Sequence, residues 1–180
     1  MMNYQQVLDF WFDAEHKEFW FAKSDDFDLE IEEKFGHTVQ QAIQCELWTW
    51  RETAEGRLAE IIVLDQFSRH LCRGQADAFA QDGMATALAQ EAIAQPNFDT
   101  LPTEWRKFII MPFMHSESLW IHERYLPLFE KLHDENTLDF ENRHKDIIER
   151  FGRYPHRNDI LDRESTDVEE AFLQQPNSSF

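Results

Sequence analysis

Residues 56–72 read GRLAEIIVLDQFSRHLC. Residues 58–67 of this stretch are apolar on more than one face of a helix, a pattern typical of a helix that other helices enclose. Thr53 precedes the stretch as a candidate N-cap, and Gly74 follows it as a helix stop. The stretch therefore predicts a buried central helix, around which the other elements of the fold must pack.

The rest of the chain repeats the helical pattern. After Asp25, apolar residues recur at every fourth position, at Phe27, Ile31, Phe35 and Val39, which predicts one long amphipathic helix. Glycine is sparse, and alternating patterns typical of strands are hard to find. We therefore predict an all-α protein with seven to nine helices, which pack as antiparallel pairs because short connections join successive helices.

Capping signals mark both ends of the helical region. Asn3 is a candidate cap for a first helix, and Thr166 with Glu169 fits a capping box before the last one. No linker rich in Gly, Pro or Ser divides the chain between these signals. We therefore expect residues 1–180 to form a single helical domain.

Pro112 interrupts the hydrophobic run at residues 108–116. Because proline lacks a backbone donor and clashes with the preceding turn, it predicts a break or a sharp kink in the helix. Beyond the proline we expect helices over residues 116–132 and 137–151, the first of them capped by Ser116.

The composition excludes several classes of protein. The 180 residues include 16 Phe and 6 Trp, which is enough for a large aromatic core, so intrinsic disorder is excluded. The net charge of −18 repels phosphate backbones and anionic lipids, so we expect neither nucleic acid nor a membrane as a partner. No apolar run approaches the roughly 18 residues that a membrane helix needs.

The first residues and the cysteines indicate a compartment. The opening MMNYQQVLDFWFD lacks the basic segment and the cleavage site that are typical of a signal peptide. Cys45 and Cys72 stand far apart in apolar or helical context, and we interpret them as buried, reduced thiols. Both features predict a cytoplasmic location.

Three stretches carry polar residues that helix packing does not require. The first, LDQFSRHLCRG at residues 64–74, places Asp65 and Arg69 four residues apart on one helix face, and Arg73 continues the row. Because Asp65 lies inside an apolar stretch, its carboxylate needs a partner. Arg69 either neutralises it as an internal ion pair or joins it in binding a ligand.

The second stretch, MPFMHSESLW at residues 111–120, places His115, Ser116 and Glu117 near a helix start. Backbone N–H groups at such a start attract anions, and a histidine there suits either a neutral hydrogen-bonding role or a base. Local capping beside one hydrogen-bonded histidine explains the same residues.

The third stretch, RFGRYPHRN at residues 150–158, contains three Arg and one His but no acid, in a protein with a charge of −18. Arginine forks bind carboxylates and phosphates with two hydrogen bonds each, so these side chains predict a pocket for a small anion. Alternatively, the arginines pair with the surplus carboxylates and hold the fold together. The candidate residues of this stretch are Arg150, Arg153, His156, Arg157 and Asn158.

Metal binding is not expected. The Glu-x-x-His spacing of di-metal helical bundles occurs at Glu130 with His133 and at Glu141 with His144. Two such pairs are close to the number that chance predicts, and the chain has no zinc-type cysteine cluster, phosphate loop or dinucleotide motif. We therefore predict neither a metal nor another cofactor.

Four stretches together resemble the bacterial family known as domain of unknown function 924. They are LDQFSRHLCRG, MPFMHSE, HKDIIERFGRYPHRN and RESTDVEEAFL. The likeness spans essentially the whole chain and adds His144 to the candidate ligand-binding residues. It implies an all-helical fold similar to right-handed tetratricopeptide-repeat superhelices, and it implies no reaction. The chain departs from the family pattern at Ser68, His70 and Asp162, where the family usually has Pro, Asn and Gly.

These observations favour a protein that binds a small anionic molecule in a pocket lined by Arg, His and Asp. If the protein is an enzyme, His115 or His156 is the general acid or base. Asp65 or Glu117 orients that histidine, and arginines neutralise the charge of the substrate. The predicted ligand-binding residues are Arg69, Arg73, His144, Arg150, Arg153, Arg157 and Asn158.

Two alternatives remain open. In the first, the protein is a scaffold that binds a peptide along a concave helical surface, where its acidic charge selects basic partners. In the second, the polar motifs only join helix ends. The residues do not decide between an enzyme and a binding protein, and they do not indicate an oligomeric state.

Overall fold

The computed structural model describes residues 3–180, which form helices and turns but no β-strand. The prediction of an all-α protein is confirmed. Within this range no helix is long and apolar enough to cross a membrane. The nine α-helices of the described residues are α1 (Tyr4–Trp11), α2 (Asp25–Ile43), α3 (Ala54–Ile62), α4 (Ser68–Leu71), α5 (Asp82–Ile93), α6 (Thr103–Met114), α7 (Leu119–Glu130), α8 (Glu135–Phe151) and α9 (Asp167–Leu173). Their antiparallel pairing and right-handed superhelix remain predictions.

The central stretch forms a continuous helix with a wider turn inside it. The π-helical segment Val63–Phe67 joins α3 to α4, and all of its residues are buried. Thr53 caps α3, because its Oγ1 accepts a 3.0 Å hydrogen bond from the Gly56 N–H. Gly56 is required there, since a Cβ would lie 2.0 Å from the carbonyl oxygen of Trp50. The prediction of an enclosed central helix is therefore confirmed.

The chain divides into two compact units. The first comprises the described residues up to Arg73 together with Asp77–Pro112, and the second comprises Gly74–Ala76 together with Phe113–Phe180. The prediction of a single domain for residues 1–180 stays a prediction, and each unit is described by itself.

Aromatic rings form the core of the first unit. The ring of Trp11, which has no exposed surface, lies 5.9 Å from that of Trp20, 5.6 Å from that of Phe67 and 5.5 Å from that of Phe108. The indole N–H of Trp20 donates a 2.8 Å hydrogen bond to the carbonyl oxygen of Trp11. These contacts join α1, the π-helical segment and α6, and they account for the abundance of Phe and Trp.

In the second unit, Ile147, Ile148 and Tyr154 form a buried hydrophobic cluster, with Leu119, Phe151 and Phe172 packed against it. Gly152 ends α8 in the left-handed conformation, with φ +70° and its N–H donating to the Ile148 carbonyl at 2.8 Å. Glycine reaches this conformation without the steric cost of a Cβ. The turn directs the following loop so that Tyr154 packs against α8, the helix that precedes the loop.

The break that was one of two expectations at Pro112 is wrong, and the other, a sharp kink, stays a prediction. α6 continues past this proline and ends at Met114. The neighbouring side chains explain the difference, since Phe108, Met111 and Phe113 are all nearly or fully buried. Burying those apolar side chains on one continuous helix outweighs the loss of a single backbone hydrogen bond.

The helix boundaries that follow also differ from the prediction. α7 begins at Leu119, and the Oγ of Ser116 accepts a 3.2 Å hydrogen bond from the Ser118 N–H before the helix starts. Ser116 is therefore part of a turn and does not cap α7. α8 begins earlier than expected, because the Asp134 side chain accepts a 3.0 Å hydrogen bond from the Thr137 N–H and caps it.

The capping predictions for the first and last helices are confirmed. The Asn3 side chain accepts a 3.1 Å hydrogen bond from the Gln5 N–H at the start of α1. Thr166 and Glu169 form the predicted capping box at the start of α9, where Glu169 Oε2 accepts from the Thr166 N–H at 2.8 Å. Local sequence was enough here because a cap involves only neighbouring residues.

The expectation of buried cysteines is wrong, although both thiols are free. Cys45 is exposed and Cys72 is half-buried. Cys45 follows α2 in a surface turn and has a φ of +59°. The apolar residues around each cysteine in the sequence therefore did not predict burial of its thiol.

Candidate functional site

In the first unit, the π-helical segment places Asp65 against Arg69. Nη1 of Arg69 lies 3.1 Å from Oδ1 of the buried Asp65 carboxylate and also donates to the Asp65 carbonyl at 2.8 Å. Nη2 of Arg69 lies 2.9 Å from Oδ1 of Asp82, so the guanidinium bridges two carboxylates. The internal ion pair that the spacing suggested is present, and a ligand-binding role for Asp65 and Arg69 stays a prediction.

Arg73 forms a different ion pair in the same unit. Its Nε and Nη2 each donate a 3.0 Å hydrogen bond to the carboxylate of Asp28 on α2. Nδ1 of His70 lies 2.6 Å from Oδ1 of that carboxylate. Burial lowers the pKa of His70, although the hydrogen bond and charge of Asp28 act in the opposite direction. These contacts join α4 to α2, and a ligand-binding role for Arg73 stays a prediction.

In the second unit, Glu117 holds the loop that follows α8. Its Oε1 accepts a 2.8 Å hydrogen bond from the Tyr154 N–H, and Arg163 donates to both carboxylate oxygens at 2.7 and 2.9 Å. Burial alone would raise the pKa of Glu117, but the hydrogen bonds from Arg163 and the Tyr154 N–H outweigh it and hold the pKa below its ordinary value. Glu117 therefore positions the loop that carries His156, and an orienting role toward that histidine stays a prediction.

Arg153 is joined to α9 by an ion pair. Its Nε and Nη2 donate to the carboxylate of Glu169 at 2.6 and 2.7 Å, and Nη2 also donates to the Glu164 carbonyl at 2.8 Å. The hydrogen bond from Arg153, with those from Thr166, lowers the pKa of Glu169 to about 2. This is the contact that the structural alternative for the loop arginines expects, and ligand binding by Arg153 stays a prediction.

Arg150 and Asn158 also contact neighbouring protein groups. The guanidinium of Arg150 lies 4.7 Å from the ring centroid of Phe151. The buried Asn158 side chain accepts a 3.0 Å hydrogen bond from Arg163 Nε and donates one of 3.0 Å to Ser165 Oγ. Asn158 therefore stabilises its own loop, and the predicted ligand-binding roles of both residues remain untested predictions.

Three of the predicted histidines come together around Tyr154. The ring of Tyr154 lies 5.6 Å from that of His144 and 5.6 Å from that of His156, and the rings of His115 and His144 are 6.4 Å apart. Arg157 lies beside them, with its Nη2 donating to the His115 carbonyl at 3.1 Å and its guanidinium 4.5 Å from the Tyr154 ring centroid. We call these five residues the histidine cluster.

The imidazoles of His144 and His156 are neutral at physiological pH. Burial lowers the pKa of His144 to about 2 and that of His156 to about 4. Nδ1 of His144 lies 2.7 Å from the Phe140 carbonyl and must donate to it, which leaves the lone pair on Nε2. Nδ1 of His156 is buried and has no hydrogen-bond partner among residues 3–180. Two of the three histidines of the cluster, His144 and His156, thus contribute neutral imidazoles.

His122 and Glu141, which sequence reasoning did not identify as site residues, lie next to the cluster. Both side chains are fully buried, and His122 Nδ1 lies 2.7 Å from Glu141 Oε1. Nε2 of His122 lies 2.9 Å from the Ser116 carbonyl, and since a carbonyl can only accept, Nε2 must carry a proton. A second proton lies between Nδ1 and Glu141. Burial raises the pKa of Glu141, and the hydrogen bond from His122 only partly offsets it.

Tyr154 connects this buried pair to the histidine cluster. Its hydroxyl donates a 2.6 Å hydrogen bond to the Met114 carbonyl and lies 3.2 Å from His122 Nε2. The only sequence signal at Glu141 was its Glu-x-x-His spacing with His144, but the carboxylate pairs with His122 instead. No group of three or more His, Cys, Asp and Glu side chains in the described part of the chain is arranged to hold a metal ion.

The predicted site residues divide between the two units. Asp65, Arg69 and Arg73 belong to the first unit, and all the others belong to the second. Within the second unit the fold gathers His115, His144, His156 and Arg157, while Arg150 and Arg153 contact other groups. A single pocket that contains all of the predicted residues stays a prediction, as does the peptide-binding alternative.

The fold and the cluster define an all-helical protein in which the rings of His144 and His156 lie beside that of a buried tyrosine. A family model described as bacterial protein of unknown function (DUF924) matches residues 7–177, and the chain belongs to this family. The family resemblance is therefore confirmed. The chain is similar to a solved structure, the protein of unknown function ATU0120 from Agrobacterium tumefaciens, with 36% identity over 95% of this chain and 96% of that chain and a TM-score of 0.89. Among the curated proteins, none matches the chain.

Proposed function

We propose that the second unit binds a small anionic molecule at the histidine cluster and that His156 contacts this molecule directly. The observation that carries the proposal is the buried Nδ1 of His156, which has no hydrogen-bond partner among residues 3–180. A buried polar atom without a partner costs about 1–3 kcal/mol of stability. A ligand that forms a hydrogen bond with Nδ1 removes that cost, so the cluster favours binding.

The charges around His156 favour an anion. The positive charges of Arg157 and Arg163 act with burial to keep the pKa of His156 low, although the nearby Glu117 carboxylate opposes them. The same positive charges attract a negative ligand in a protein whose net charge is −18. When the anion is bound, its charge favours protonation of His156, which strengthens the hydrogen bond between them.

The same arrangement supports acid–base chemistry as part of the proposal. A neutral imidazole can accept a proton from a bound molecule, and the nearby guanidinium of Arg157 stabilises the negative charge that then develops. His156 is the preferred base because its Nδ1 has no internal partner, and His115 is the second candidate.

Binding of simple anions tests the proposal. We expect isothermal titration calorimetry to show that acetate or sulfate binds the wild-type protein and that His156→Leu weakens the binding at least about tenfold, as the loss of one charge-assisted hydrogen bond predicts. His37→Leu is the matched control, because His37 is exposed in the first unit. If neither anion binds, or if His156→Leu binds as well as the wild type, the proposal is wrong.

A further inference from the structure

The ring of Phe180 lies flat on the imidazole of His144. The two ring centroids are 3.7 Å apart and the planes are inclined by 21°, which is face-to-face stacking. The ring of Phe180 also lies 6.1 Å from the ring of His156 and 6.3 Å from that of Phe140. Phe180 therefore occupies a position in which a planar ring is contacted by three other rings of the second unit.

A cation lies over this position. The guanidinium of Arg143 is 5.1 Å from the ring centroid of Phe180 and 5.1 Å from that of Phe140. Its Nη1 lies 4.0 Å from Oδ2 of Asp139, whose side chain is 68% exposed. Because an exposed ion pair at this distance contributes little, Arg143 is available to a stronger anion.

The Phe180 side chain cannot form polar interactions with two of the groups around it. A hydrocarbon ring cannot form a hydrogen bond with Nδ1 of His156, and it brings no negative charge to Arg143. Phe180 is also 44% exposed, so displacing it uncovers only part of a side chain. A ring that carries a carboxylate keeps the stacking on His144 and brings a hydrogen-bonding group and a negative charge to a position that His156 and Arg143 both adjoin.

We propose that the position of the Phe180 ring on His144 is the binding position for the ring of an aromatic carboxylic acid, and that Phe180 moves away when the acid binds. This inference rests on the proposed function, which it narrows from small anions to aryl carboxylates. Phe180 then competes with the acid for His144. The apparent affinity equals the intrinsic affinity multiplied by the fraction of time for which Phe180 leaves His144 uncovered.

Benzoate and cyclohexanecarboxylate provide the test, since they have the same charge and similar size but only benzoate is aromatic. We expect Phe180→Ala to bind benzoate about tenfold more tightly than the wild type in calorimetric titrations, as removal of a competitor that covers the site about 90% of the time predicts. Cyclohexanecarboxylate should bind the variant several-fold more weakly than benzoate does. Val168→Ala, which removes another exposed apolar side chain of the second unit, should leave both affinities unchanged.

The possible results separate the two proposals. If Phe180→Ala binds benzoate no more tightly than the wild type, Phe180 is not a competitor and the inference is wrong. Equal affinity of the variant for the two acids overturns the aromatic preference but leaves anion binding at the cluster intact. If neither acid binds to either protein, the inference is wrong, and the titrations with acetate and sulfate decide whether the proposed function stands.

Discussion

The backbone N–H of Tyr154 donates a 2.8 Å hydrogen bond to Oε1 of Glu117, 37 residues earlier in the chain. Arg163 donates to both oxygens of the same carboxylate and also to the Tyr154 carbonyl at 3.1 Å. One carboxylate and one guanidinium thus fix both sides of the backbone that presents Tyr154, His156 and Arg157. The geometry of the histidine cluster depends on this arrangement.

We expect Glu117→Gln to destabilise the protein by about 1–3 kcal/mol at pH 7, because Arg163 loses the charge of its partner while remaining partly buried. Glu123→Gln, at an exposed position of α7, is the control and should change the stability little. Urea unfolding of the three proteins measures the difference. Equal stability of Glu117→Gln and the wild type would contradict the positioning role.

The same ion pair has a predictable dependence on pH. The pKa of Glu117 is lowered in the folded protein, so the folded state binds this proton less readily than the unfolded state does. The stabilisation is therefore complete above the ordinary pKa of 4.5 and is lost as the pH falls through the lowered value. The stability difference between the wild type and Glu117→Gln should shrink over that range.

Arg153→Gln should lower the melting temperature at neutral pH and lose that effect in acid. The pKa of Glu169 is lowered from 4.5 to about 2, chiefly by the hydrogen bond from Arg153, so the pair stabilises the fold fully above pH 4.5. Between pH 4.5 and about 2 the carboxylate becomes protonated and the melting temperatures of the two proteins should converge. Arg124→Gln, at an exposed position of α7, is the control. A difference that persists unchanged to pH 2 would exclude the ion pair as its source.

Asp162→Gly should stabilise the protein. Asp162 has a φ of +52°, in the left-handed region where a Cβ is unfavourable and glycine is favoured. Removing that strain is worth up to about 1 kcal/mol, reduced by the greater freedom that glycine gives the unfolded chain. Asp159→Gly, three residues earlier, is the control. It gives the unfolded chain the same additional freedom but relieves no backbone strain, so it should destabilise the protein. If thermal unfolding shows that both variants lose stability equally, the φ of Asp162 carries no strain.

Sulfate binding to the histidine cluster should strengthen as the pH falls from 8 to 5. The pKa of His156 is about 4 in the free protein, and a bound anion raises it, so binding takes up a proton below the raised value. Because one proton is taken up, the affinity for sulfate increases by at most about tenfold per pH unit. The groups that face His156 are Tyr154, Arg157, Glu117 and Arg163, and His144 has a pKa of about 2 and does not titrate in this range.

Calorimetric titrations of sulfate at pH 5, 6, 7 and 8 measure this dependence, with His156→Leu as the control. The variant should show weak binding that does not change with pH, because sulfate itself stays dianionic throughout. An unchanged affinity of the wild-type protein between pH 8 and 5 would show that His156 takes up no proton on binding.

The residues predicted most successfully are those whose role depends on near neighbours in the sequence. Thr53, Asn3 and Thr166 cap the helices expected of them, because a cap is formed within three residues. Asp65 and Arg69 form the expected pair because four residues make one turn of a helix. Pro112 does not break its helix, since burial of the surrounding apolar side chains outweighs the local preference. Ser116 does not cap α7, because its Oγ accepts from the Ser118 N–H in the turn before the helix.

The sequence by itself determined that the protein is helical and which stretch forms its central helix. It also determined the family to which the chain belongs. Helical periodicity and local motifs depend only on residues that are close together in the sequence. Apart from the Asp65–Arg69 pair, the tertiary structure alone decided which arginines pair with carboxylates and which histidines meet. Arg153 and Arg157 belong to the same nine-residue stretch, yet the first pairs with Glu169 of α9 and the second donates to the carbonyl of His115, 42 residues earlier in the chain. Such partners are distant in the sequence, and only the packing of the helices brings them within reach of a hydrogen bond.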